Sequence, residues 1–398
     1  MINKYLAELK SKQNIHIVGA AGIEGAAVAC FLADQKIKNV TLHDFSDKAE
    51  FESSFKNSRD YLSPRQSQEA YEQLINTNYK IYYQPDYLKD IEKADLIFIS
   101  QGWFRYESNK KLKELKGKIP FSSATELYFQ LSPCPIIGIT GTVGKSTTTR
   151  LIFEMLKTCG KKAYVSGNDR DNPPVLDKLL KLPKSSYLVL EISNRQLIGL
   201  NYSPHIAVVT NIFPNHLDDH GSFKNYIAAK SNLVRHQQKD DFAVLNAENK
   251  ACQNFAKLTK AKVVYYSAEK KLDKLKLVGR HNLLNIAAAR TVGEILNLNR
   301  DCMQKTFINF KPLKHRLQKI AEIKGVIYIE DSQSTNPNST IAAIDALKDK
   351  KIILIAGGYR PKFNISEFSG MVKVFSSPQI KKVFLIGKIA PILLKEHL

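Results

Sequence analysis

The stretch from Pro135 to Thr149 constrains the fold more than any other part of the chain. It reads PIIGITGTVGKSTTT. Its apolar residues predict a buried strand, its glycines predict a tight turn, and the residues from Thr147 to Gly160 predict a helix. A glycine turn lets backbone N–H groups face an anion, and the helix N-terminus adds its positive dipole end. Because Lys145 can pair with phosphates and Ser146 can ligate Mg²⁺, the stretch predicts a nucleoside triphosphate site.

The strict phosphate-loop pattern would place a glycine at Ile139, so the motif here is Thr-Gly-Thr-x-Gly-Lys-Ser. The alternative is an ordinary glycine-rich turn between a strand and a helix, without a ligand. We favour the nucleotide site because strand, glycines, Lys-Ser pair and helix follow one another in the order that phosphate binding requires.

A chain of 398 residues exceeds what one hydrophobic core usually supports, so two or three domains are expected. The hydrophobic content of 43% is usual for a globular protein, and no apolar run reaches the roughly 18 residues of a membrane span. The N-terminus lacks the apolar core of a signal peptide, so we expect a cytoplasmic protein without membrane insertion. The five cysteines are far apart and form no Cys-x-x-Cys pair. Reduced thiols are therefore predicted, rather than a disulfide framework or structural zinc.

The formal net charge of +21 raises the question of nucleic-acid binding. The lysines are spread along the whole chain, with no basic run of five or more residues. No motif combines basic and aromatic residues in the way that nucleic-acid modules do. Since a positive field also favours small polyanionic ligands, we expect no nucleic-acid partner.

A second glycine turn lies near the N-terminus, after an apolar strand. Gly19, Gly22 and Gly25 precede a predicted helix, and Asp44 ends the next predicted strand. The arrangement resembles a Rossmann-type fingerprint, in which the turn approaches a pyrophosphate and the acid meets a ribose or base. Because the spacing differs from Gly-x-Gly-x-x-Gly, a dinucleotide cofactor and a nucleotide-linked substrate both stay open. Trp103, the only tryptophan, follows a third strand and packs either on a base or at the rim of the domain.

Polar residues follow two further predicted strands. The apolar run from Tyr187 to Leu190 is typical of a parallel strand covered on both faces, and Glu191 at its end is placed to hold Mg²⁺ directly or through water. The next strand leads to His216, and the helix after it carries Lys230. Neither of these two residues indicates a function by itself.

Several motifs together resemble the Mur ligase family, which builds the peptide stem of peptidoglycan. They are Thr-Gly-Thr-x-Gly-Lys-Ser, Leu190-Glu191-Ile192-Ser193, Asn211-x-x-x-x-His216-Leu217-Asp218-x-His220, Ala228-Ala229-Lys230, Gly279-Arg280-His281-Asn282, Leu313-Lys314-His315-Arg316 and Asp331-Ser332-x-Ser334-Thr335-Asn336-Pro337. The similarity covers nearly the whole chain in the family's order. The last two motifs are most similar to the branch that adds D-glutamate to UDP-N-acetylmuramoyl-L-alanine.

The resemblance implies an α/β protein of three domains. Residues 1–133 would form a Rossmann-like domain for the UDP-linked muramoyl substrate, and residues 134–310 a central P-loop ATPase domain. Residues 311–398 would form a shortened C-terminal Rossmann-like α/β domain that closes on ATP and brings the amino acid. The reaction would turn the substrate's carboxylate into an acyl phosphate, which the amine attacks to give an amide, ADP and phosphate. A monomer is expected.

The resemblance also implies roles for particular residues. ATP would be bound by Gly141, Thr142, Gly144, Lys145, Ser146, Thr147, Asn282, Asn285, Arg316 and Asp331. Two Mg²⁺ sites would use Ser146, Glu191, His216 and Lys230, with Lys230 carbamylated so that it presents oxygens. The catalytic residues would be Lys145, Glu191, His216 and Lys230. The substrates would contact Gly19, Ala20, Ala21, Asp44, Asn168, Thr335 and Lys362.

The C-terminal region departs from the D-glutamate branch. Gln333 stands where that branch usually has lysine, and Pro361 replaces a second lysine, with Arg360 and Lys362 beside it. The chain ends at Leu398, whereas relatives continue with a loop for the amino-acid side chain, so part of that pocket is expected to be missing. Two alternatives to D-glutamate addition stay open. One is a related ligase for another amino acid or amine, and the other is a non-catalytic nucleotide-binding relative.

Overall fold

The computed structural model describes residues 2–58, 62–168, 172–215, 217–268, 275–347, 349–359 and 370–397. This part of the chain forms two compact units. The first comprises Met1–Gly138, Lys162–His205 and Asn232–Gln237, and the second comprises Ile139–Lys161, Ile206–Ser231 and Gln238–Leu398. The division into three domains at residues 134 and 311 stays a prediction.

A parallel five-stranded sheet forms the N-terminal part of the first unit, in the order β3-β2-β1-β4-β5. Its strands are β1 (Ile15–Val18), β2 (Val40–His43), β3 (Lys80–Tyr82), β4 (Leu96–Ile99) and β5 (Phe121–Ser122). The helices of this segment are α1 (Ile2–Ser11), α2 (Ile23–Asp34), α3 (Lys48–Asn57), α4 (Pro64–Ile75), α5 (Lys110–Glu114) and α6 (Ala124–Leu131). The chain order reverses between β1 and β4, and ligands of open α/β sheets bind beyond the strand ends at such a point.

The middle of the chain forms a six-stranded sheet in the order β11-β10-β9-β6-β8-β7. Its strands are β6 (Ile136–Thr140), β7 (Ala163–Gly167), β8 (Tyr187–Glu191), β9 (Ile206–Val209), β10 (Phe242–Asn246) and β11 (Lys262–Tyr266). The helices are α7 (Lys145–Thr158), α8 (Leu217–His220), α9 (Phe223–Arg235), α10 (Lys250–Gln253), α11 (Arg280–Ile295) and α12 (Arg300–Asn309). The predicted α/β class is confirmed. Of the helices in the described part of the chain, none is both long enough and apolar enough to cross a membrane.

The C-terminal part contains two pairs of strands. The antiparallel pair is β12 (Gln318–Ile323) and β13 (Val326–Glu330), and the parallel pair is β14 (Ile352–Gly357) and β15 (Ile380–Ile386). Its helices are α13 (Pro337–Ala346), α14 (Met371–Phe375) and α15 (Ala390–His397). Ile344, Met371, Val374, Ile389 and Leu393 form a separate small core here.

Two buried histidines lie side by side on β1 and β2. The rings of His16 and His43 stack with centroids 5.0 Å apart, and Nδ1 of His16 lies 2.8 Å from Nε2 of His43. The ring of Tyr82 stacks on His43 with centroids 5.4 Å apart. Burial lowers the pKa of His16 to about 4 and that of His43 to about 3. Both imidazoles are therefore neutral at pH 7.

This pair predicts a loss of stability in mild acid. An exposed histidine takes up a proton near pH 6.5. Below that pH both histidines are protonated in the unfolded chain. In the folded chain they stay neutral until the pH falls to about 4 for His16 and about 3 for His43. The free energy of unfolding should therefore fall between pH 6.5 and 5, by up to about 1.4 kcal/mol per pH unit for each histidine. Urea unfolding of the wild type and of His16→Gln measures this, and equal slopes in the two proteins would contradict it.

Helix α7 follows the glycine loop and packs against α11 and α12. The three helices approach closely at Gly293 of α11. A Cβ at this position would lie 2.2 Å from Sδ of Met303 and 3.0 Å from Sδ of Met155. Since α12 carries Met303 and α7 carries Met155, a larger residue at position 293 would force these methionine side chains to move.

The C-terminal end of α7 is also covalently linked to α12. Cys159 and Cys302 form a disulfide across 143 residues of sequence, while Cys30, Cys134 and Cys252 are not disulfide-bonded. The prediction of reduced thiols was therefore wrong for one pair. Packing of α12 on α7 brings the two Cα atoms to 5.5 Å, a proximity that sequence spacing does not reveal.

Reduction or Cys302→Ser should destabilise the protein by about 2–5 kcal/mol, because the unfolded chain loses a long covalent loop. Thermal unfolding with and without a thiol reductant measures the effect. Cys30→Ser is the matched control, since Cys30 is a cysteine outside the disulfide. Under reducing conditions the wild type and Cys302→Ser should converge, and equal melting temperatures without reductant would contradict the disulfide.

Candidate functional site

The glycine loop joins β6 to α7, as the sequence predicts, and its shape requires glycine at two positions. A Cβ on Gly141 would lie 1.8 Å from Oγ1 of Thr210. Gly144 has a left-handed backbone, with φ of +84°, and a Cβ there would lie 2.4 Å from Oδ1 of Asn285. Neighbouring side chains therefore fill the space beside both glycines.

The amide side chain of Asn211, just after β9, holds the loop in place. The N–H of Val143 donates to Oδ1 of Asn211, and Nδ2 of Asn211 donates to the Val143 carbonyl, both at 3.0 Å. Oγ1 of Thr210 donates to the same carbonyl at 2.7 Å. The N–H of Thr142 donates to the backbone carbonyl of Asn211 at 2.8 Å. The sequence prediction gave Thr210 and Asn211 no role, although Asn211 opens one of the recognised motifs.

Asn211 accepts hydrogen bonds from the N–H groups of Thr142 and Val143, which precede Gly144. Donors for an anion would therefore come from the first turn of α7. Gly144 is the N-cap of this helix and provides no side-chain capping bond. The first-turn N–H groups, including that of buried Thr147, therefore have no side-chain cap, and such a helix N-terminus is suited to an anion. The ammonium of Lys145 lies over the loop, where Nζ donates to the Thr142 carbonyl at 3.2 Å.

Helix α11 supports the loop through two buried asparagines. Oδ1 of Asn285 accepts from Oγ1 of Thr148 in α7 at 3.2 Å, and Nδ2 of Asn285 donates to Oδ1 of Asn282 at 3.1 Å. Nδ2 of Asn282 donates to the Val278 carbonyl at 2.8 Å. These amides support the first turn of α7 through hydrogen bonds. Their contact with adenine stays a prediction.

Arg316 reaches the loop from the segment after α12. Its Nη2 donates to Oγ of Ser146 at 3.0 Å. The next residue, Leu317, has a left-handed backbone with φ of 46°, and its N–H donates to Oδ1 of Asp331 at 2.9 Å. Asp331 therefore fixes the turn that presents Arg316, while Thr335 is exposed just before α13. Burial raises the pKa of Asp331, against the opposing effect of the hydrogen bonds that it accepts.

Lys230 lies almost fully buried on α9, at 1% exposure. Its Nζ donates to the Gly141 carbonyl at 2.8 Å and to Oγ1 of Thr140 at 3.3 Å. It also lies 5.1 Å from the ring centroid of Tyr226. The side chain thus points at the glycine loop, as a ligand in that region would. An ammonium offers no lone pair to a cation, so a metal role requires the predicted carbamate.

Glu191 ends β8 in the first unit and is 2% exposed. Nδ2 of Asn168 lies 3.4 Å from Oε1 of Glu191, and the N–H of Asn168 donates to the Glu191 carbonyl at 2.9 Å. Oε2 is buried and has no hydrogen-bond partner among the residues that the structure describes. A small cavity beside Glu191 is also lined by Glu24 and Gln196. A buried carboxylate oxygen without a donor is suited to a cation.

The N-terminal glycine turn is fastened to the end of β2. The N–H groups of Gly19 and Ala20 donate to the His43 carbonyl at 2.8 and 3.2 Å. Oδ2 of Asp44 accepts from the N–H of Ala21 at 2.7 Å. Its Oδ1 accepts from the N–H and hydroxyl of Ser46, at 3.0 and 2.7 Å. Asp44 thus has three protein donors, and its predicted contact with the substrate stays a prediction.

Two of the predicted site residues, His216 and Lys362, lie outside the described residues, as do Arg360 and Pro361. Within the described ranges, no three His, Cys, Asp or Glu side chains converge in a way that could hold a metal ion. The described structure gathers Gly141 to Thr147, Lys230, Asn285 and Arg316 around one loop.

Gly144→Ala should weaken ATP binding by about tenfold or more, because its Cβ would push Asn285 or the loop out of place. Gly160→Ala is the matched control. Gly160 also has a left-handed backbone, with φ of +74°, but a Cβ there meets no atom within 4 Å. Titration calorimetry with ATP compares the two variants. Equal losses would mean that backbone strain alone, and not the contact with Asn285, explains the effect.

Comparisons with known proteins identify relatives of this chain. Residues 139–276 match the Mur ligase middle domain family. A relative from Acetivibrio thermocellus named "UDP-N-acetylmuramoylalanine--D-glutamate ligase" is 34% identical over 345 residues, which covers 80% of this chain and 72% of that protein.

Two crystal structures from Thermotoga maritima share the fold. UDP-N-acetylmuramate-alanine ligase MurC superposes with a TM-score of 0.58 at 17% identity, covering 96% of this chain and 87% of that one. MurF ligase, crystallised in complex with ADP, gives a TM-score of 0.54 at 17% identity, covering 83% of this chain and 85% of that one. At such identities the likeness concerns the fold alone.

Proposed function

Because this chain belongs to the Mur ligase family, we propose that it is the ATP-dependent ligase that adds D-glutamate to UDP-N-acetylmuramoyl-L-alanine. The observation that carries the ATP-dependent chemistry is the loop at the start of α7. There, uncapped first-turn N–H groups, Lys145 and Arg316 meet around Ser146. The choice of D-glutamate is supported by the name of the 34% identical relative. The reaction belongs to peptidoglycan precursor synthesis, which we place in the cytoplasm.

A carboxylate is a poor acyl donor at neutral pH, so the reaction needs an activated intermediate. A carboxylate oxygen of the muramoyl-alanine substrate attacks the γ-phosphorus of ATP, and the bond from that phosphorus to ADP breaks. The amine of D-glutamate then attacks the carbonyl carbon of the acyl phosphate. Phosphate leaves with the shared oxygen, and the nitrogen loses a proton. The products are an amide, ADP and phosphate.

The loop residues serve phosphoryl transfer through position and charge. First-turn N–H groups of α7 cradle the phosphates, and Lys145 turns from the Thr142 carbonyl to the transferring group. Arg316 lies close enough to Ser146 to add a second cation beside the same phosphates. Since the charge in the transition state spreads over the phosphoryl oxygens, two fixed cations stabilise it more than they stabilise the ground state.

The metal sites that we propose use hard oxygen ligands. Ser146 and Glu191 would each be a Mg²⁺ ligand. For Glu191 this role is supported by Oε2, which has no hydrogen-bond partner in the described part of the chain. His216 and carbamylated Lys230 would serve a second ion. When bound, Mg²⁺ neutralises charge on the phosphates. For the amino acid we propose Thr335 and Lys362 as contacts.

The test is phosphate release from ATP with UDP-N-acetylmuramoyl-L-alanine and a panel of D- and L-amino acids, with products identified by mass. We expect release that depends on D-glutamate and a product heavier by one glutamyl residue. Release that depends on another amino acid would replace the substrate assignment, and no adduct with any amine would favour a non-catalytic relative.

Lys145→Ala should lower turnover by about 100-fold or more while the UDP-linked substrate still binds. Lys157→Ala, an exposed lysine on the same helix, is the matched control and should keep wild-type turnover. Calorimetry with the UDP-linked substrate separates the two effects. Loss of both ATP turnover and substrate binding in Lys145→Ala would contradict our assignment of two separate nucleotide sites.

A further inference from the structure

Aromatic side chains follow the carboxyl ends of β2 and β4, the two strands that flank β1 in the sheet of the first unit. Phe45 follows β2, the glycine turn follows β1, and Trp103 follows β4 in a 3-10 helix, Gln101–Arg105. Phe45 is 50% exposed and Tyr106 is 45% exposed, while Trp103 is partly buried against the core beside β1 and β4. Aromatic rings that stay exposed at the ligand-binding edge of a parallel sheet are a surface on which a flat ring can stack.

Trp103 lies directly against the glycine turn. A Cβ built on Gly19 would lie 2.6 Å from both Cε2 and Cζ2 of the indole. Gly19 also has a left-handed backbone, with φ of +75°. The indole therefore packs against the backbone at the point where the turn begins. It can approach this closely because Gly19 has no side chain.

Hydrogen bonds hold the backbone of the segment that carries Trp103. The backbone N–H of Trp103 donates to the Ser100 carbonyl at 2.9 Å, and the backbone carbonyl of Trp103 accepts from Nδ2 of Asn109 at 2.9 Å. Asn109 is fully buried, and its Oδ1 accepts from the hydroxyl of Tyr87 at 2.8 Å. Ordering of the indole before a ligand arrives reduces the entropy that binding must offset.

The outer side of the indole meets a second ring. Tyr106 packs edge-on against Trp103 with centroids 5.8 Å apart. The guanidinium of Arg105 lies 4.8 Å from the Tyr106 ring and donates to its hydroxyl at 2.7 Å.

The acid expected to recognise the nucleotide is already occupied. Asp44 is 5% exposed and accepts from the N–H of Ala21 and from both donors of Ser46. An ionised carboxylate has about four lone-pair sites, so three protein donors leave Asp44 few sites for a ligand. Because a planar base also needs a flat surface to stack on, the aromatic rings at this edge are the candidates for that contact.

We propose that Trp103 is the residue on which the base of the UDP-linked substrate stacks, and that this contact supplies the base-dependent part of the affinity. The inference rests on the proposed function, since that function supplies the uridine ligand. Stacking of one base on an aromatic side chain contributes about 5- to 150-fold in affinity. Trp103 thereby selects for a nucleotide over a bare sugar phosphate.

Fluorescence tests this directly, because Trp103 is the only tryptophan in the chain. Titration of the wild type with UMP should change the intensity or wavelength of tryptophan emission in a saturable way. Ribose 5-phosphate, which lacks the base, should change it little. Emission that responds to neither ligand, while calorimetry shows that UMP binds, would overturn the proposal.

Variants separate stacking from a structural role. Trp103→Ala should weaken UMP binding by about tenfold or more but leave ribose 5-phosphate binding nearly unchanged. Trp103→Phe keeps a ring and should retain most of the UMP affinity. Tyr265→Ala removes a half-exposed ring from β11 and is the matched control. Equal losses for both ligands in Trp103→Ala would show that the indole only supports the turn.

Two further outcomes distinguish failure of this inference from failure of the proposed function. If UMP and UDP-N-acetylmuramoyl-L-alanine both fail to bind the wild type, the proposed function itself is wrong. If Trp103→Ala weakens the complete substrate but leaves UMP binding unchanged, the indole contacts the muramoyl part and the base assignment is overturned. Circular dichroism and the melting temperature of each variant show whether the fold is retained.

Discussion

The nucleotide loop depends on one pair of hydrogen bonds, between the side-chain amide of Asn211 and both backbone groups of Val143. A loop that must point N–H groups at phosphate cannot be held by those same N–H groups. Asn211 resolves this conflict by fixing the residue before Gly144, so that the donors of the first turn of α7 are left for the ligand. The side chain of Val143 takes no part in this support, because Asn211 bonds only to the backbone N–H and carbonyl of Val143.

Helix α7 connects this loop to the rest of the second unit. Asn285 of α11 supports the first turn from behind Gly144, and Arg316 reaches Ser146 from the segment after α12. The far end of the helix is linked to α12 through Cys159 and Cys302. Because the helix is held at both ends, its first turn has a defined position, and fixed dipoles and charges stabilise a transition state at little reorganisation cost.

The first unit also contains a glycine turn, and other groups support it. Its glycine turn is held by Asp44 and by the His43 carbonyl, so that the acid is part of the support and the aromatic rings form the exposed edge. The net charge of +21 is consistent with a protein whose proposed ligands, ATP and a UDP-linked sugar, are both polyanions.

The sequence by itself determined the fold class and the elements around the loop. Strands β6, β8 and β9 and helices α7 and α9 all occur close to where apolar runs, glycines and helix signals predict them. These signals are local, so a short window contains them.

Tertiary structure alone decided which side chains support the site. Val143 and Asn211 are 68 residues apart, Thr148 and Asn285 are 137 apart, and Ser146 and Arg316 are 170 apart. The disulfide and the occupied carboxylate of Asp44 were missed for the same reason. Such contacts exist only after packing has brought separate elements together, and no spacing along one chain specifies them.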